Sequence, residues 1–361
     1  MFISMKLKFY KIKGFYMSKQ QMYLFCLVSS ILGAEEIIDN NSYSPKNDAI
    51  QIAVEMGGKT NFWDPGLSGN VLEYDTEGLY LGFAKLKLKL YNNDVLTLEK
   101  YATFSNTDKQ NDLLSAYKDD RKHESSIDGI RISVQLMKIV NFLFDKEWLT
   151  GLNYEFNTRN FLGDATLLQT SKYWYGKLDG GVDGEDYSRI KVGTNLAFKT
   201  KFTSHKLSYR FEDIIKFTKG DFLSLGLFDE EWSKPTFVGD TLLGEEPLIF
   251  DANYYSRGIT SSVGVKTDNY LVEGYLDYGL DSRMDIIQKG DNYSNLNKDV
   301  DMYRVGARAN YKFADVYRTS FFTTDIIVGG EMQYNQLTQG GVNVLDAETL
   351  YGVNAGIEVT F

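Results

Sequence analysis

The chain reads as an all-β protein, a transmembrane antiparallel up-and-down β-barrel of about twelve strands. Three observations predict this. The last eleven residues, YGVNAGIEVTF, alternate without a break, setting Tyr351, Val353, Ala355, Ile357, Val359 and Phe361 on one face and Gly352, Asn354, Gly356, Glu358 and Thr360 on the other. Aromatic residues make up 14% of the chain, with 25 Tyr and 23 Phe, yet the mean hydropathy is −0.30, too polar for a helical membrane protein. A barrel reconciles these numbers, because half of each strand faces a polar lumen and Tyr and Phe form interfacial girdles. Finally, long and short connections alternate along the chain, as brief periplasmic turns and long extracellular loops require.

From the N-terminus, Met22 to Leu32 (MYLFCLVSSIL) is an apolar run behind Lys19 and ahead of Gly33 and Ala34. It reads as a cleaved secretory signal over residues 1–34, too short to span a membrane as a helix, which takes about 20 residues. The basic extension Lys6, Lys8, Lys11 and Lys13 makes Met17 an alternative start. Residues 35–48 are then a short periplasmic segment and 49–361 the barrel. The single cysteine, Cys26, lies in the signal, so the exported chain has no disulfide, thiolate metal site or cysteine nucleophile. The net charge of −10 deepens by five once five lysines and no acid leave with residues 1–34, which argues against nucleic acid as a partner.

Period-two patterning marks strands at 50–56, 79–91, 95–105, 127–137, 147–158, 188–199, 206–217, 258–266, 270–280, 300–313, 320–334 and 350–361. Long connections at 57–78, 106–126, 159–187, 218–257, 281–299 and 335–349 alternate with short ones at 92–94, 138–146, 200–205, 267–269 and 314–319. A Greek-key sandwich has no reason to keep that order. The segment 95–105 turns either Lys100 or Glu99 toward lipid. FLSLGLF and PLIFDANYY, inside 218–257, have strand composition, so fourteen strands is the rival count. No repeat or linker divides the chain.

With apolar residues outward, Leu86, Leu88 and Leu90 face lipid and Lys85, Lys87 and Lys89 face the lumen. The same parity places Arg131, Lys191, Lys199, Arg210, Lys266, Arg304, Arg308 and Lys312 inside, with Glu55, Glu155, Glu212, Glu273, Asp277, Asp325, Glu331 and Glu358, eleven bases against eight acids. The loop 218–257 holds Asp229, Glu230, Glu231, Asp240, Glu245 and Glu246. Two readings stand: it folds into the barrel as a constriction facing the lumen lysines, or it is a solvated acidic surface loop. Trp148 reads as an interfacial anchor, and Trp174 and Trp232 either pack loops or stack on a sugar.

Catalysis finds little support. Only His123 and His205 exist, the first in RKHESS near an outer loop and the second in a predicted periplasmic turn. DGGVDGED (179–186) has the composition of a calcium loop but places Gly181 where the second ligand belongs. No phosphate loop, dinucleotide fingerprint or metal cluster appears, so no cofactor is implied.

The final strand with its terminal Phe361 resembles the signal read by the barrel-assembly machinery of Gram-negative outer membranes. The architecture resembles their porin-like barrels, without matching a specific family. The resemblance implies an outer-membrane location reached through the periplasm, with lipid, lipopolysaccharide and the assembly machinery as partners. It implies passive diffusion of small hydrophilic solutes through a mildly basic lumen favouring anions or acidic sugars. A closed barrel acting as adhesin or receptor through its loops is the alternative, and an outer-membrane hydrolase the third reading.

Overall fold

A computed structural model of the protein describes residues 49–64, 72–74, 78–91, 93–103, 114–116, 125–144, 151–174, 187–214, 219–238, 248–286, 298–339, 342–343 and 347–361. Twelve long strands form the wall: β1 (Ile50–Asp64), β2 (Leu79–Leu90), β3 (Asn93–Thr103), β4 (Ser126–Val134), β5 (Leu152–Leu167), β6 (Asn195–Glu212), β7 (Asp221–Val238), β8 (Leu248–Lys266), β9 (Tyr270–Ile286), β10 (Asp301–Arg318), β11 (Thr323–Gln339) and β12 (Glu348–Thr360). Each pairs antiparallel with the strand before it. β12 then pairs with β1 from Ala53 opposite Thr360 to Asp64 opposite Thr349, which closes the barrel. Phe361 completes the seam, its N–H donating to the Ile52 carbonyl at 2.9 Å. Closure leaves no wall strand with an unpaired edge, the condition for crossing lipid with strands.

At the end of the barrel holding both Ile50 and Thr360, the connections are tight and sequence-encoded. Thr267 and Thr319 each accept a hydrogen bond at Oγ1 from the backbone N–H three residues on, Tyr270 and Phe322, both at 3.1 Å. The hydroxyl does the work of a turn carbonyl. In the β6–β7 turn Asp213 and Gly220 take positive φ, 56° and 84°. The β4–β5 connection, expected as a short turn over 138–146, instead contains a helix, α1 (Leu136–Phe144). Its Leu143 and Phe144 are exposed and its Phe142 meets Tyr91 edge-on at 6.0 Å. An apolar helix here suits a membrane surface. At the opposite, loop end, short strands at 72–74, 114–116, 171–174, 187–190, 298–299 and 342–343 extend the sheet.

The wall count of twelve matches the sequence expectation, but two of its elements differ. The predicted strands 188–199 and 206–217 collapse into one, β6, and the turn expected at 200–205 lies inside it. The predicted loop 218–257 contains a complete strand, β7, and the first half of β8. One strand too many and one too few left the total unchanged.

The outer surface explains the misreading. Over the turn-end half, outward residues are apolar: Leu223, Leu225 and Leu227 on β7, Val272, Leu276 and Tyr278 on β9, Val353 and Ile357 on β12. Aromatic rings bound this band on both sides, with Tyr209–Phe211, Tyr311–Phe313 and Phe322–Phe361 at the turn end and Phe62–Tyr351 and Tyr303–Tyr334 higher up. On β9 the apolar face runs from Tyr270 to Leu280, about the 9–11 residues a tilted strand uses to cross a bilayer. Above it the outward face turns polar. Lys100 pairs with Asp128 at 3.3 Å, Arg257 with Asp229 at 3.4 Å, and His205 Nδ1 with Tyr154 Oη at 2.8 Å. The choice left open at 95–105 thus falls to Lys100 outside and Glu99 inside, with Lys100 neutralised at the rim.

Candidate functional site

The candidate site is the lumen, and its lining is set by strand parity. At the turn end, β1, β2 and β12 bring Glu55, Lys85, Lys87, Lys89 and Glu358 together. Lys85 and Lys87 reach Glu55 at 2.8 and 2.7 Å, Lys89 reaches Glu358 at 2.5 Å, and Lys87 also contacts Glu358. Lys312 faces Asp325 at 3.7 Å beside them. Higher, Arg131 pairs with Glu155 at 2.8 Å, Arg308 with Glu273 at 2.6 Å, and Lys59 with Glu331. Arg304 grips Glu230 with both terminal nitrogens, at 2.7 and 2.9 Å, and contacts Asp277 at 3.0 Å; Lys206 holds Asp277 at 2.6 Å. Such pairing is what buried charges require.

Inward aromatic rings lie over glycines. A Cβ on Gly129 would sit 2.3 Å from the Tyr101 hydroxyl, and one on Gly306 2.2 Å from the Tyr275 ring. Each glycine supplies the space that the end of the ring occupies against the wall.

Toward the loop end the interior becomes apolar. Trp63, Leu81, Ile127, Phe161, Trp232, Tyr254, Met284, Met302, Leu337 and Leu350 are buried there. Trp63 on β1 stacks on Phe161 of β5 at 3.6 Å between ring centroids, and Arg159 of β5 reaches Glu348 of β12 at 3.2 Å. Trp63 Nε1 also donates to Glu348, at 3.1 Å. Since β5 is far round the wall from β1 and β12, these contacts cross the lumen. These cross-lumen contacts are made by wall side chains.

Of the residues the sequence assigned to the lumen, Lys85, Lys87, Lys89, Arg131, Arg210, Glu273, Asp277, Arg304, Arg308 and Lys312 face inward on their strands. Two do not. Lys191 is exposed in the connection before β6, and Lys199 shares the outward parity of β6, because the strand runs unbroken to the inward Arg210 and admits one parity only. The proposed constriction loop is also corrected. Asp229 and Glu231 face outward from β7 and Glu230 inward, while Asp240, Glu245 and Glu246 lie outside the described residues. His205 is on the outer face of β6, not in a turn. His123, Trp148, residues 179–186 and residues 1–48 also lie outside the described residues.

The lumen residues missed from sequence, Lys59, Arg159, Lys206, Glu348, Trp63 and Phe161, were assigned mostly to loops. Continued alternation beyond Met56 and Thr158 was the available signal. Among the described residues, with Lys191 and Lys199 removed and Lys59, Arg159, Lys206, Lys234, Asp94, Glu99, Glu230 and Glu348 added, four of each sign, the inward excess of bases falls from three to one. The described lining is close to charge-balanced.

No protein-family model matches the chain, and no curated protein matches it. Among solved structures it is similar to the β domain of the Bordetella autotransporter Brka, at 9% identity over 87% of this chain and 100% of that one with a TM-score of 0.29. It is also similar to OmpT, an outer membrane protein of Vibrio cholerae, at 9% identity over 86% and 100% with a TM-score of 0.30. The CymD monoaromatic hydrocarbon channel matches at 10% identity over 92% and 96%, with a TM-score of 0.29. No relationship is inferred at such values. The class of the chain, a closed antiparallel β-barrel with an apolar outer band, rests on its own strand order and surface.

Proposed function

We propose that the protein is an outer-membrane channel through which small polar solutes diffuse. Continuity of the polar lining is the observation that supports this reading. Three cavities of about 480, 270 and 140 Å³ succeed one another from the turn end upward. The first two share Lys85, Lys87, Lys266 and Asn310, and the second and third share Lys59, Arg131, Glu155 and Arg308. The near balance of charge removes the basis for the anion preference expected from sequence, and ionic selectivity is expected to be weak.

A second reading has its own observation. The stack of Trp63 on Phe161 reaches across the lumen near the loop end, which favours a barrel that presents its loops as a receptor surface. Bilayer conductance of refolded protein separates the two. The channel reading expects small single-channel steps in wild type, growing several-fold when Trp63→Ala and Phe161→Ala are combined. Silence in both proteins sinks it and leaves the receptor reading.

A further inference from the structure

Charge on the lumen lining is matched almost residue by residue, and the exceptions among the bases gather in one place. Among the described residues, every base lining the three cavities holds a carboxylate except Arg210 of β6, Lys266 of β8 and Lys138 of α1. All three line the 270 Å³ cavity near the turn end. None of their side chains has an ion pair or a hydrogen bond to a described residue. They are also accessible. Each is partly exposed, and none of their nitrogens is among the polar atoms that are both unbonded and sealed from solvent, so their donors open on the cavity.

The three groups converge although they come from different elements. Arg210 stands opposite Ser224 of β7, and Ser224 opposite Ser262 of β8, four residues before Lys266. The helix α1 carries Lys138 to the same space from the β4–β5 connection. Lys266 lies within electrostatic range of both Arg210 and Lys138. Like charges gathered in a partly desolvated space destabilise one another, and a bound anion reverses that interaction.

The acids nearby are engaged or weakly placed. Glu273 is held by Arg308, and Asp94 lies beside Lys87 at 4.0 Å. Glu99 faces Lys85 and Arg131 across its own ladders. Glu212, on the same face of β6 as Arg210, is unpaired but exposed. Arg210 is moreover presented as a fork. Its guanidinium sits 4.1 Å from the centroid of the Phe222 ring, itself 1% exposed, so the ring covers one face of the plane and leaves the N–H edge free. That edge matches an oxyanion through two parallel hydrogen bonds.

We propose that Arg210, Lys266 and Lys138 form a binding site for a small divalent oxyanion of the phosphate type. Arg210 takes two of its oxygens, and the two ammonium groups contact the others as point charges. The site is local, so it coexists with a lining whose charges balance as a whole. The proposal rests on the channel reading for the route by which the anion passes, whereas binding itself does not require conduction.

The test is equilibrium dialysis of radiolabelled inorganic phosphate against the refolded full-length barrel in an uncharged detergent at low ionic strength. Wild type is expected to bind phosphate saturably. Arg210→Gln and Lys266→Gln should each weaken binding about fivefold or more, the order of a partly screened charge-assisted hydrogen bond. Glu212→Gln removes the opposing charge and should tighten binding, which damage to the fold would not do. Lys201→Gln takes the same charge from the exposed outer face of β6 and should leave binding unchanged. Heat-modifiable gel mobility checks folding; should Arg210→Gln not fold, Lys266→Gln and Lys138→Gln read the site. Absence of saturable binding in wild type overturns the proposal. Binding untouched by the Arg210 and Lys266 substitutions, or weakened equally by Lys201→Gln, overturns it as well. A barrel silent in bilayers that binds phosphate sinks the channel reading and leaves the site standing, and a conducting barrel that binds none does the reverse.

Discussion

Arg159 on β5 and Glu348 on β12 meet at 3.2 Å from across the lumen, with β1 to β4 between them by the shorter arc of the wall. Both are buried, and Glu348 also accepts from Trp63 Nε1 and, at 3.5 Å, from Asn335 Nδ2. One carboxylate thus ties four strands together. Removing one member of such a pair leaves the other charged, buried and unmatched, which costs about 3–5 kcal/mol. Arg159→Leu is expected to destabilise by about 3 kcal/mol, and combining it with Glu348→Leu to recover much of that loss. Urea unfolding in lipid vesicles measures both. Equal stability of the single variant and wild type would show that the cross-lumen pair contributes nothing.

The glycines under inward rings make a sharper packing prediction. Gly306→Ala would bring a Cβ to 2.2 Å from the Tyr275 ring and is expected to destabilise by about 1–3 kcal/mol, the usual cost of overpacking. At Gly58, on the outer face of β1, a Cβ would meet nothing nearer than 3.9 Å, so Gly58→Ala should be neutral. If the two substitutions cost the same, glycine is not serving the rings.

The outer band predicts a depth-dependent cost for charge. Leu225→Arg places a guanidinium in the middle of the apolar face of β7 and should destabilise by about 2–4 kcal/mol, whereas Thr203→Arg at the polar rim of β6 should cost about 0–1 kcal/mol. Folding yield and stability in vesicles of one lipid check the contrast. Matching costs would place the membrane elsewhere on the barrel.

The seam between β12 and β1 ends at Phe361, which exchanges backbone hydrogen bonds with Ile52 and packs its ring 6.1 Å from Phe322. Deleting Phe361 should slow refolding several-fold while leaving the final barrel heat-modifiable, because most of the seam register survives. A refolding rate unchanged in detergent but an assembly defect in cells would assign the residue to recognition rather than to closure.

The turn-end half of the barrel was legible residue by residue. Wherever a strand crosses the apolar band, outward residues are apolar and inward ones polar, so LYLGFAKLKLKL announces both its strand and its lumen lysines, and YGVNAGIEVTF both its face and its place as the last strand. The loop-end half was not, because there the rule reverses. Beyond the band the outside meets water and carries Asp229, Glu231 and His205, while the inside meets other side chains and carries Phe202, Trp232 and Tyr254. FLSLGLFDEEWSKP therefore shows no single alternating pattern, and β7 passed for a loop. Alternation, composition and connection length are local, and the chain alone determined through them a barrel, its parity in the band and most of its lumen lysines and arginines. Which strands stand opposite one another depends on closure, and so only the tertiary structure decided that Arg159 meets Glu348, that Trp63 stacks on Phe161, and that wall side chains meet across the lumen.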